Sequence, residues 1–218
     1  MNLVADSFAW PFRGAWRSSW LVGVLVVLFS PLLFIPLLGY AIAATRAAEK
    51  DATQGPPAWR LSGRLVTDGL WTALAVLLVA LPFIVVFGPL AYGLYGSHVW
   101  STGDAGQSLF YARVLAFLIL DLPLGIALLL VMPDATARFA NSGRPRDLFD
   151  FAASLRTVRQ DFATWNLAAA AIVTGWAVGV ACVGVLCAGI VPGIFYAILV
   201  SAHASAALHD KDSPPPAG

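Results

Sequence analysis

Four stretches of the chain carry almost no charged residue, and this segregation of charge limits the fold more than any other feature. They run from Trp20 to Thr45, Leu70 to Ser97, Val114 to Met132 and Leu167 to Leu208. A helix needs about 20 apolar residues to cross a hydrocarbon core of roughly 30 Å. Charged residues make up only 11% of the chain, whereas soluble domains typically carry about 25%. We therefore predict an all-α, polytopic transmembrane helical bundle with broken, Pro-kinked helices.

Three of these stretches define predicted spans by their length. The second and third each fit one crossing, whereas the fourth would be about 63 Å long as one helix, which corresponds to two crossings. Gly189 and Pro192 mark the expected break in the fourth stretch. The predicted spans are residues 70–97, 113–132, 167–187 and 190–208. Residues 1–209 then form a single membrane domain, and the Pro-rich residues 210–218 form a disordered cytoplasmic tail.

The first stretch, residues 20–48, permits two interpretations. From Leu21 to Ala48 it would measure about 42 Å as a helix, which is long for one crossing and too short for two. A single tilted, Pro-kinked span would place the N-terminus outside, together with Arg13 and Arg17. A re-entrant hairpin bent around residues 30–36 would keep the N-terminus inside. The charges favour the hairpin and the length favours the single span, and the repeat described below favours the hairpin slightly.

The basic residues between the spans predict which loops face the cytoplasm. Loop 46–69 carries four Lys or Arg residues and loop 133–166 carries five, whereas loop 98–112 carries none. Cytoplasmic loops are enriched in Lys and Arg, so the first two loops and the C-terminus are expected in the cytoplasm. The N-terminus lacks an early basic region before a short apolar stretch, so insertion is expected to depend on the spans themselves. We predict a multi-pass protein of the plasma membrane.

Two amphipathic segments precede apolar stretches and are predicted to lie on the membrane surface as helices. The first is residues 7–19, and its aromatic residues recur every four positions. They are Phe8, Phe12 and Trp16, and Trp20 continues the series directly after the segment. The second is residues 147–164, with an apolar stripe on one side and charged residues on the other. The stripe comprises Leu148, Phe151, Leu155, Val158, Phe162 and Trp165.

Each surface segment leads into an apolar stretch that ends in the same pattern, P-x-x-x-Y-A-I. The pattern begins at Pro36, with Tyr40 four positions later, and again at Pro192, with Tyr196. Proline is well placed in the first turn of a helix, because its missing N–H would be unpaired there anyway. The pattern therefore indicates the restart of a broken helix, where the tyrosine hydroxyl can bind a freed backbone group. Its recurrence suggests an internal duplication.

Several motifs follow one another in a characteristic order along nearly the whole chain. They are WPFRGAW (10–16), PLLGYAIAATRAA (36–48), PPAWRLSGRLVTDGLWTAL (56–74), ARFANSGRPRDLFDF (137–151) and PGIFYAILVSAH (192–203). This order resembles the prokaryotic integral membrane protein family called domain of unknown function 4013. The residues that fit its pattern are Trp59, Asp68, Gly69, Arg138, Gly143, Phe149, Asp150, Phe151, Tyr196 and His203. The family has no assigned reaction, so the resemblance implies an architecture and leaves the activity open.

Two ionisable residues within the predicted spans are candidates for function. Asp121 lies inside the third stretch, where a carboxylate is costly and often functional, for example as a proton-linked group. The alternative is a neutral or paired carboxylic acid beside the carbonyl that Pro123 frees. His203 lies one turn from the cytoplasmic end of the last span, where a structural hydrogen bond is the simpler interpretation. The other candidate functional residues are Tyr40, Tyr196, Pro36 and Pro192.

Small residues repeat every four positions in the fourth stretch. They are Ala171, Gly175 and Gly179, followed by Gly184 and Ala188. Faces of this kind let helices approach closely, so we predict helix packing there, either within the chain or between copies. Cys182 and Cys187 lie on different faces of a helix, too far apart for a disulfide, and are predicted to be packing residues.

No familiar catalytic motif is found in the sequence. It contains no serine elbow, P-loop, metalloprotease or zinc-spacing motif, so no catalytic, cofactor-binding or metal-binding residue is predicted. A net charge of +1 gives no electrostatic basis for nucleic-acid binding. The favoured hypothesis is a non-enzymatic membrane protein that packs against itself or other membrane proteins, or organises the lipid bilayer. The alternative is a small permease or export factor for a lipophilic or membrane-derived solute, with Asp121 as a working group.

Overall fold

The structure is a computed structural model that describes residues 3–14, 16–96, 105–182 and 189–208. All regular structure within these ranges is helical, which confirms the predicted all-α class. The helices are α1 (Leu3–Ala9), α2 (Trp16–Leu28), α3 (Ser30–Lys50), α4 (Gly63–Gly96), α5 (Ala105–Ser142), α6 (Pro145–Phe149), α7 (Phe151–Gln160), α8 (Phe162–Ala181) and α9 (Ile190–Ala206). The predicted tail lies outside the described residues.

Four helices of the described part are long and apolar enough to cross a membrane. They are α3, α4, α5 and α8. Only helices and closed barrels satisfy their own backbone groups in lipid, so these helices and the all-α fold fit a bilayer environment. The prediction of a multi-pass membrane protein is confirmed at this level.

The chain divides into two compact units, which differ in how far their apolar side chains are buried. One unit comprises residues 1–73 and 131–218, and the other comprises residues 74–130. The described part of the second unit consists of the C-terminal two thirds of α4 and the N-terminal two thirds of α5, where the large apolar side chains are mostly exposed, as suits helices that face lipid. The first unit contains a buried core that includes Trp10, Tyr40 and Phe195. Most of the residues singled out in the sequence belong to this first unit.

Residues 7–19, predicted as one surface helix, are divided in the structure. They are shared by the end of α1, a 3-10 turn at Trp10–Phe12 and the start of α2. Gly14 has a φ of 59°, which residues with a side chain rarely adopt. A Cβ atom there would also lie 2.1 Å from the Gln54 carbonyl oxygen. The break at Gly14 thus reflects a long-range contact that the spacing of aromatic residues does not reveal.

Residues 147–164, predicted as the second surface helix, are likewise divided, into α6, α7 and the first residues of α8. The Asp150 carboxylate accepts a hydrogen bond from the Ala153 backbone N–H at 3.0 Å. Asp161 caps α8 in the same way, through the Thr164 N–H at 3.2 Å. Both aspartates satisfy N–H groups that a helix start leaves unpaired. Polar caps therefore interrupt a segment whose apolar stripe suggested one helix.

Helices α4 and α5 extend beyond the predicted spans. The continuation of α5 carries Asp134 and Arg138, whose side chains form an ion pair with Nε and Oδ2 2.9 Å apart. Arg138 also donates to the Ser154 hydroxyl in α7 at 2.8 Å. This polar end of α5 explains why the helix continues past the apolar stretch that predicted it.

Helices α8 and α9 pack against each other through small residues. A Cβ atom at Gly179 would lie 2.5 Å from the Gly193 carbonyl oxygen, and one at Gly175 would lie 2.9 Å from the Val200 side chain. Because position 175 meets position 200 and position 179 meets position 193, the two helices run antiparallel. Ala171 is buried on the same helix. The small face of α8 therefore packs within the chain. Gly184, Ala188 and Cys187 lie outside the described residues.

Candidate functional site

The chain reverses direction between α2 and α3, and one backbone carbonyl fixes the reversal. The Pro57 oxygen accepts one hydrogen bond from Ser19 Oγ and another from the Tyr40 hydroxyl, both at 2.9 Å. In a straight helix Ser19 and Tyr40 would lie about 32 Å apart. The backbone leaves helical geometry at Phe29 and Leu33, where the chain turns. The geometry of this segment is therefore that of a hairpin, the second of the two interpretations.

The loop after α3 supports the hairpin through Trp59. The indole N–H of Trp59 donates to the Ser19 carbonyl at 3.1 Å. Its ring stacks on the Tyr40 ring with 3.9 Å between centroids and 4° between planes. A carbonyl has two lone pairs, so Pro57 can accept both of its hydrogen bonds at once. Both limbs of the hairpin are thus joined to one short loop.

Aromatic rings from distant parts of the chain meet at this hairpin. Phe195 of α9 contacts the rings of Trp20, Tyr40 and Trp59, with centroids 5.7, 5.8 and 6.4 Å apart. The Phe195 ring also lies 2.1 Å from the position of a Cβ atom at Gly23. A side chain at position 23 would displace the Phe195 ring, so the glycine lets α9 pack into the mouth of the hairpin as it does.

The predicted aromatic stripe joins this cluster although its residues lie in three different elements. Phe12 contacts Trp16 and Trp20, with centroids 5.9 and 5.4 Å apart. Phe8 and Phe12 both contact Tyr196, at 6.2 and 5.8 Å. The Tyr196 hydroxyl donates to the Phe8 carbonyl at 3.3 Å. Each tyrosine of the repeated pattern therefore binds a backbone carbonyl of another segment.

His203 connects α9 to α1. Its Nδ1 lies 2.9 Å from Ser7 Oγ, and its ring centroid lies 5.5 Å from that of Trp10. Because the Ser7 hydroxyl donates to the Leu3 carbonyl at 2.9 Å, the His203 Nδ1–H donates to Ser7. Ser7 is fully buried, so this pair lacks the open face that a Ser–His nucleophile needs. The arrangement is that of a structural link between the two ends of the chain.

The two prolines of the repeated pattern occupy the same position in their helices. The backbone leaves helical geometry at Leu33, three residues before Pro36. Helix α9 has its N-cap at Gly189, three residues before Pro192. The N–H groups at this position have no partner within a helix, so proline removes nothing there. Both prolines therefore mark helix starts.

Asp121 belongs to the other compact unit and lies in α5. Its side chain is partly buried, and the neighbouring Phe117 and Leu122 are exposed. The structure thus gathers Tyr40, Tyr196 and the helix starts into one unit, and Asp121 is not part of that unit. A role for Asp121 in transport stays a prediction.

The sequence contains a longer repeat than the pattern P-x-x-x-Y-A-I revealed. The offset between the two patterns is 192 − 36, or 156 residues, and it also superposes Trp20-Leu-Val-Gly-Val24 on Trp176-Ala-Val-Gly-Val180. In this register α2 corresponds to the second half of α8, and the restart of α3 corresponds to the start of α9. The shared motif W-x-V-G-V can be found in the sequence by comparing residues that are 156 positions apart.

The close approach of α3 and α4 is a further feature that sequence reasoning missed. A Cβ atom at Gly39 would lie 1.8 Å from the Leu65 carbonyl oxygen, and one at Gly69 would lie 2.0 Å from the Ile35 carbonyl oxygen. Because position 39 meets position 65 and position 35 meets position 69, α4 starts beside Gly39 and runs antiparallel to α3. The backbones are in contact where no side chain fits between them.

The comparisons with known proteins give one result for the family and none for the activity. The family model described as "Protein of unknown function (DUF4013)" matches residues 22–200, which contain all of α3 to α8 and parts of α2 and α9. No curated protein and no solved structure matches the chain. Any function proposed for the chain therefore depends on its geometry.

Proposed function

The chain belongs to the DUF4013 family, a family of unknown function, and from its fold we propose that it is a non-enzymatic protein that organises the lipid bilayer. It does so by inserting the α2–α3 hairpin into one leaflet of the plasma membrane of a prokaryote. The observation that carries this proposal is the reversal between Ser19 and Tyr40 at the Pro57 carbonyl.

The length of the hairpin limits how deeply it can insert. The limb from Trp20 to Leu28 measures about 14 Å, and the limb from Ser30 to Tyr40 about 17 Å, at 1.5 Å per residue. The hydrocarbon core is roughly 30 Å thick, so a hairpin of this length ends near the middle of the bilayer. Its tip therefore lies among the acyl chains of a single leaflet.

The outer surface of the hairpin suits acyl chains. No charged residue occurs between Arg17 and Arg46. The exposed apolar side chains of the two limbs and the turn are Leu21, Val22, Leu25, Leu28, Phe29, Leu32 and Phe34. Leu32, at the turn, is 84% exposed. Leaving such a surface in water would cost about 25 cal/mol for each Å² of apolar area, so lipid is its natural environment.

The polar segments beside the hairpin indicate which leaflet it enters. Hydrogen bonds from Thr53 hold the pKa of Asp51 below its usual value, so this carboxylate is ionised at neutral pH and belongs in water. The basic loops 46–69 and 133–166 follow the pattern of cytoplasmic segments. We therefore assign these loops and both termini to the cytoplasm, and the hairpin to the cytoplasmic leaflet.

A hairpin in one leaflet changes the balance of area between the two leaflets. It adds volume to the cytoplasmic leaflet and none to the other, which favours a bilayer that is convex on the cytoplasmic side. Binding of apolar helix faces at the interface is sensitive to curvature for the same reason. The protein would then accumulate on, or promote, curved membrane.

The test is a sorting measurement on vesicles that contain the full chain with its cytoplasmic side outward. We expect more protein per lipid on small vesicles than on large ones. Placing polar amides at the tip, with Phe29→Asn and Leu32→Asn together, should raise the hairpin towards the surface and remove most of this preference. The matched control is Leu81→Asn with Val85→Asn, two exposed residues of α4, which should keep it.

Two results would contradict the proposal. One is an equal density of protein on small and large vesicles. The other is a preference that survives in the tip variant while its thermal unfolding is unchanged, because curvature would then be sensed elsewhere in the chain.

A further inference from the structure

The repeat with an offset of 156 residues relates the second hairpin, α8–α9, to the first. Trp20 and Tyr40 bound the inserting part of the first hairpin, and Trp176 and Tyr196 occupy the equivalent positions of the second. Equal offsets mean that the chain between Trp and Tyr has the same length in both. The described helical parts of the second hairpin, residues 176–181 of α8 and residues 190–196 of α9, measure about 9 and 11 Å at 1.5 Å per residue, shorter than the roughly 30 Å hydrocarbon core.

Ring contacts place the bases of the two hairpins at the same height. Phe195 contacts Trp20, Tyr40 and Trp59, and Tyr196 contacts Trp20 with centroids 6.4 Å apart. Trp20 and Tyr40 lie at the base of the first hairpin, as the Pro57 carbonyl requires. Phe195 and Tyr196 therefore lie at that level too.

The charges around this level exclude a full crossing by α9. A span of residues 190–208 would place Phe195 about 8 Å from its far end, with more than half of the bilayer between Phe195 and the cytoplasm. Trp59 contacts Phe195, and the next residue in the chain is Arg60, which is exposed. A full crossing would therefore bury an arginine side chain in hydrocarbon, where charge is costly.

The start of α4 also argues against a full crossing of the bilayer by α9, and this argument does not depend on Arg60. Gly39 lies next to Tyr40 in the sequence, and its backbone meets Leu65 of α4. Arg64 precedes Leu65, and its side chain is 65% exposed. An exposed guanidinium at this height fits the cytoplasmic interface of a membrane and does not fit its interior.

We infer that α8–α9 is a second half-depth insertion in the same leaflet as α2–α3, which leaves α4 and α5, among the described helices, to cross the whole bilayer. This deepens the proposed function and rests on it, because the depth of α8–α9 is measured against that of the first hairpin. The lipid-facing residues of its limbs include Val178, Val180 and Ile190, which are exposed and apolar. Their partner is the acyl chains of the cytoplasmic leaflet. Of the four described helices with the length and composition of spans, α3 and α8 thus end short of the far surface.

The experiment measures the depth of single labels in the full chain, reconstituted in lipid. The background carries Cys182→Ala and Cys187→Ala. Single cysteines are introduced as Leu32→Cys at the tip of the first hairpin, Ile190→Cys at the start of α9, and Tyr92→Cys near the far end of α4, where Tyr92 is exposed. The probes are fluorophores quenched by lipids brominated at different depths, and a thiol reagent that does not cross membranes.

We expect quenching at Leu32 to be strongest with bromine at the ends of the acyl chains, and quenching at Ile190, about 9 Å along α9 from Tyr196, to be strongest with bromine near the middle of the chains. Reaction with the impermeant reagent should be lost at both positions from either side. Tyr92→Cys should react from the side opposite the N-terminus, which serves as the reference for a full crossing.

The outcomes separate the two proposals. If Ile190→Cys reacts from the far side while Leu32→Cys lies at the midplane, the second insertion is wrong and the first survives. If Leu32→Cys itself reacts from the far side, the first hairpin crosses the bilayer and both proposals fail.

Discussion

Replacing Gly39 by leucine is expected to destabilise the protein severely. The Cβ atom alone would lie 1.8 Å from the Leu65 carbonyl oxygen, so α3 and α4 must separate before a side chain fits. Overpacking typically costs about 1–3 kcal/mol and occasionally more. Because the obstacle at Gly39 is backbone, which cannot rotate away, we expect the top of that range or beyond. The measurement is thermal unfolding of the purified protein in detergent, together with the yield of monodisperse protein.

Two other glycines provide the control for Gly39. At Gly93 and Gly125 a Cβ atom would meet no atom within 4 Å. Gly93→Leu and Gly125→Leu introduce the same side chain as Gly39→Leu, in helices of similar apolarity. Leucine also has a higher helix propensity than glycine. Both variants should unfold at or slightly above the temperature of the parent. An unchanged unfolding temperature in Gly39→Leu would show that α3 and α4 are not in backbone contact.

The second large effect is expected at Arg46, which joins three helices. Its Nε donates to the Ala140 carbonyl of α5 at 2.9 Å, and its Nη2 lies 3.2 Å from Asp68 Oδ2 of α4. Both side chains of the ion pair are largely buried. Removing one partner of a buried pair costs about 3–5 kcal/mol, because the other charge is left without compensation. Arg64 lies 3.8 Å from the same Asp68 oxygen, so we expect Arg46→Met to fall at the low end of this range.

A double variant distinguishes the free-energy cost of an unpaired buried charge from the cost of lost packing. Arg46→Met combined with Asp68→Leu removes both charges and should recover much of the loss measured for Arg46→Met alone. Arg144→Met is the matched control, since Arg144 pairs with Asp147 at an exposed site and such pairs are worth about 0–1 kcal/mol. If Arg46→Met and Arg144→Met cost the same, the Arg46 pair is not buried as described.

The class of protein could be predicted because hydropathy is a property of each residue by itself. Nearly uncharged stretches long enough to cross a bilayer leave few alternatives, and they predict helices and a membrane location without any knowledge of contacts. The prolines at positions 36 and 192 were recognised as helix starts for a local reason, their missing N–H. Signals of this kind depend on single residues or their near neighbours, so they can be read from one sequence.

The contacts that build the site could not be predicted, because each joins residues far apart in the chain. Nothing local shows that the Pro57 carbonyl accepts from Ser19 and Tyr40, or that Gly23 makes room for Phe195. The division of residues 7–19 likewise depends on the contact of Gly14 with loop 51–62. The exception is the pentapeptide at Trp20 and Trp176, where the sequence did contain the longer repeat.

The measurement that tests the hairpin most directly is the distance between the two polar segments that flank the first apolar segment. Spin labels are attached at Arg17→Cys and Arg60→Cys, two exposed positions near the contact of Trp59 with Ser19. The native cysteines are replaced, and the distance is measured by pulsed electron paramagnetic resonance in lipid nanodiscs. A hairpin predicts a separation shorter than the roughly 30 Å thickness of the hydrocarbon core, and a single crossing predicts a longer one. A separation greater than that thickness would contradict the hairpin and the insertion proposed from it.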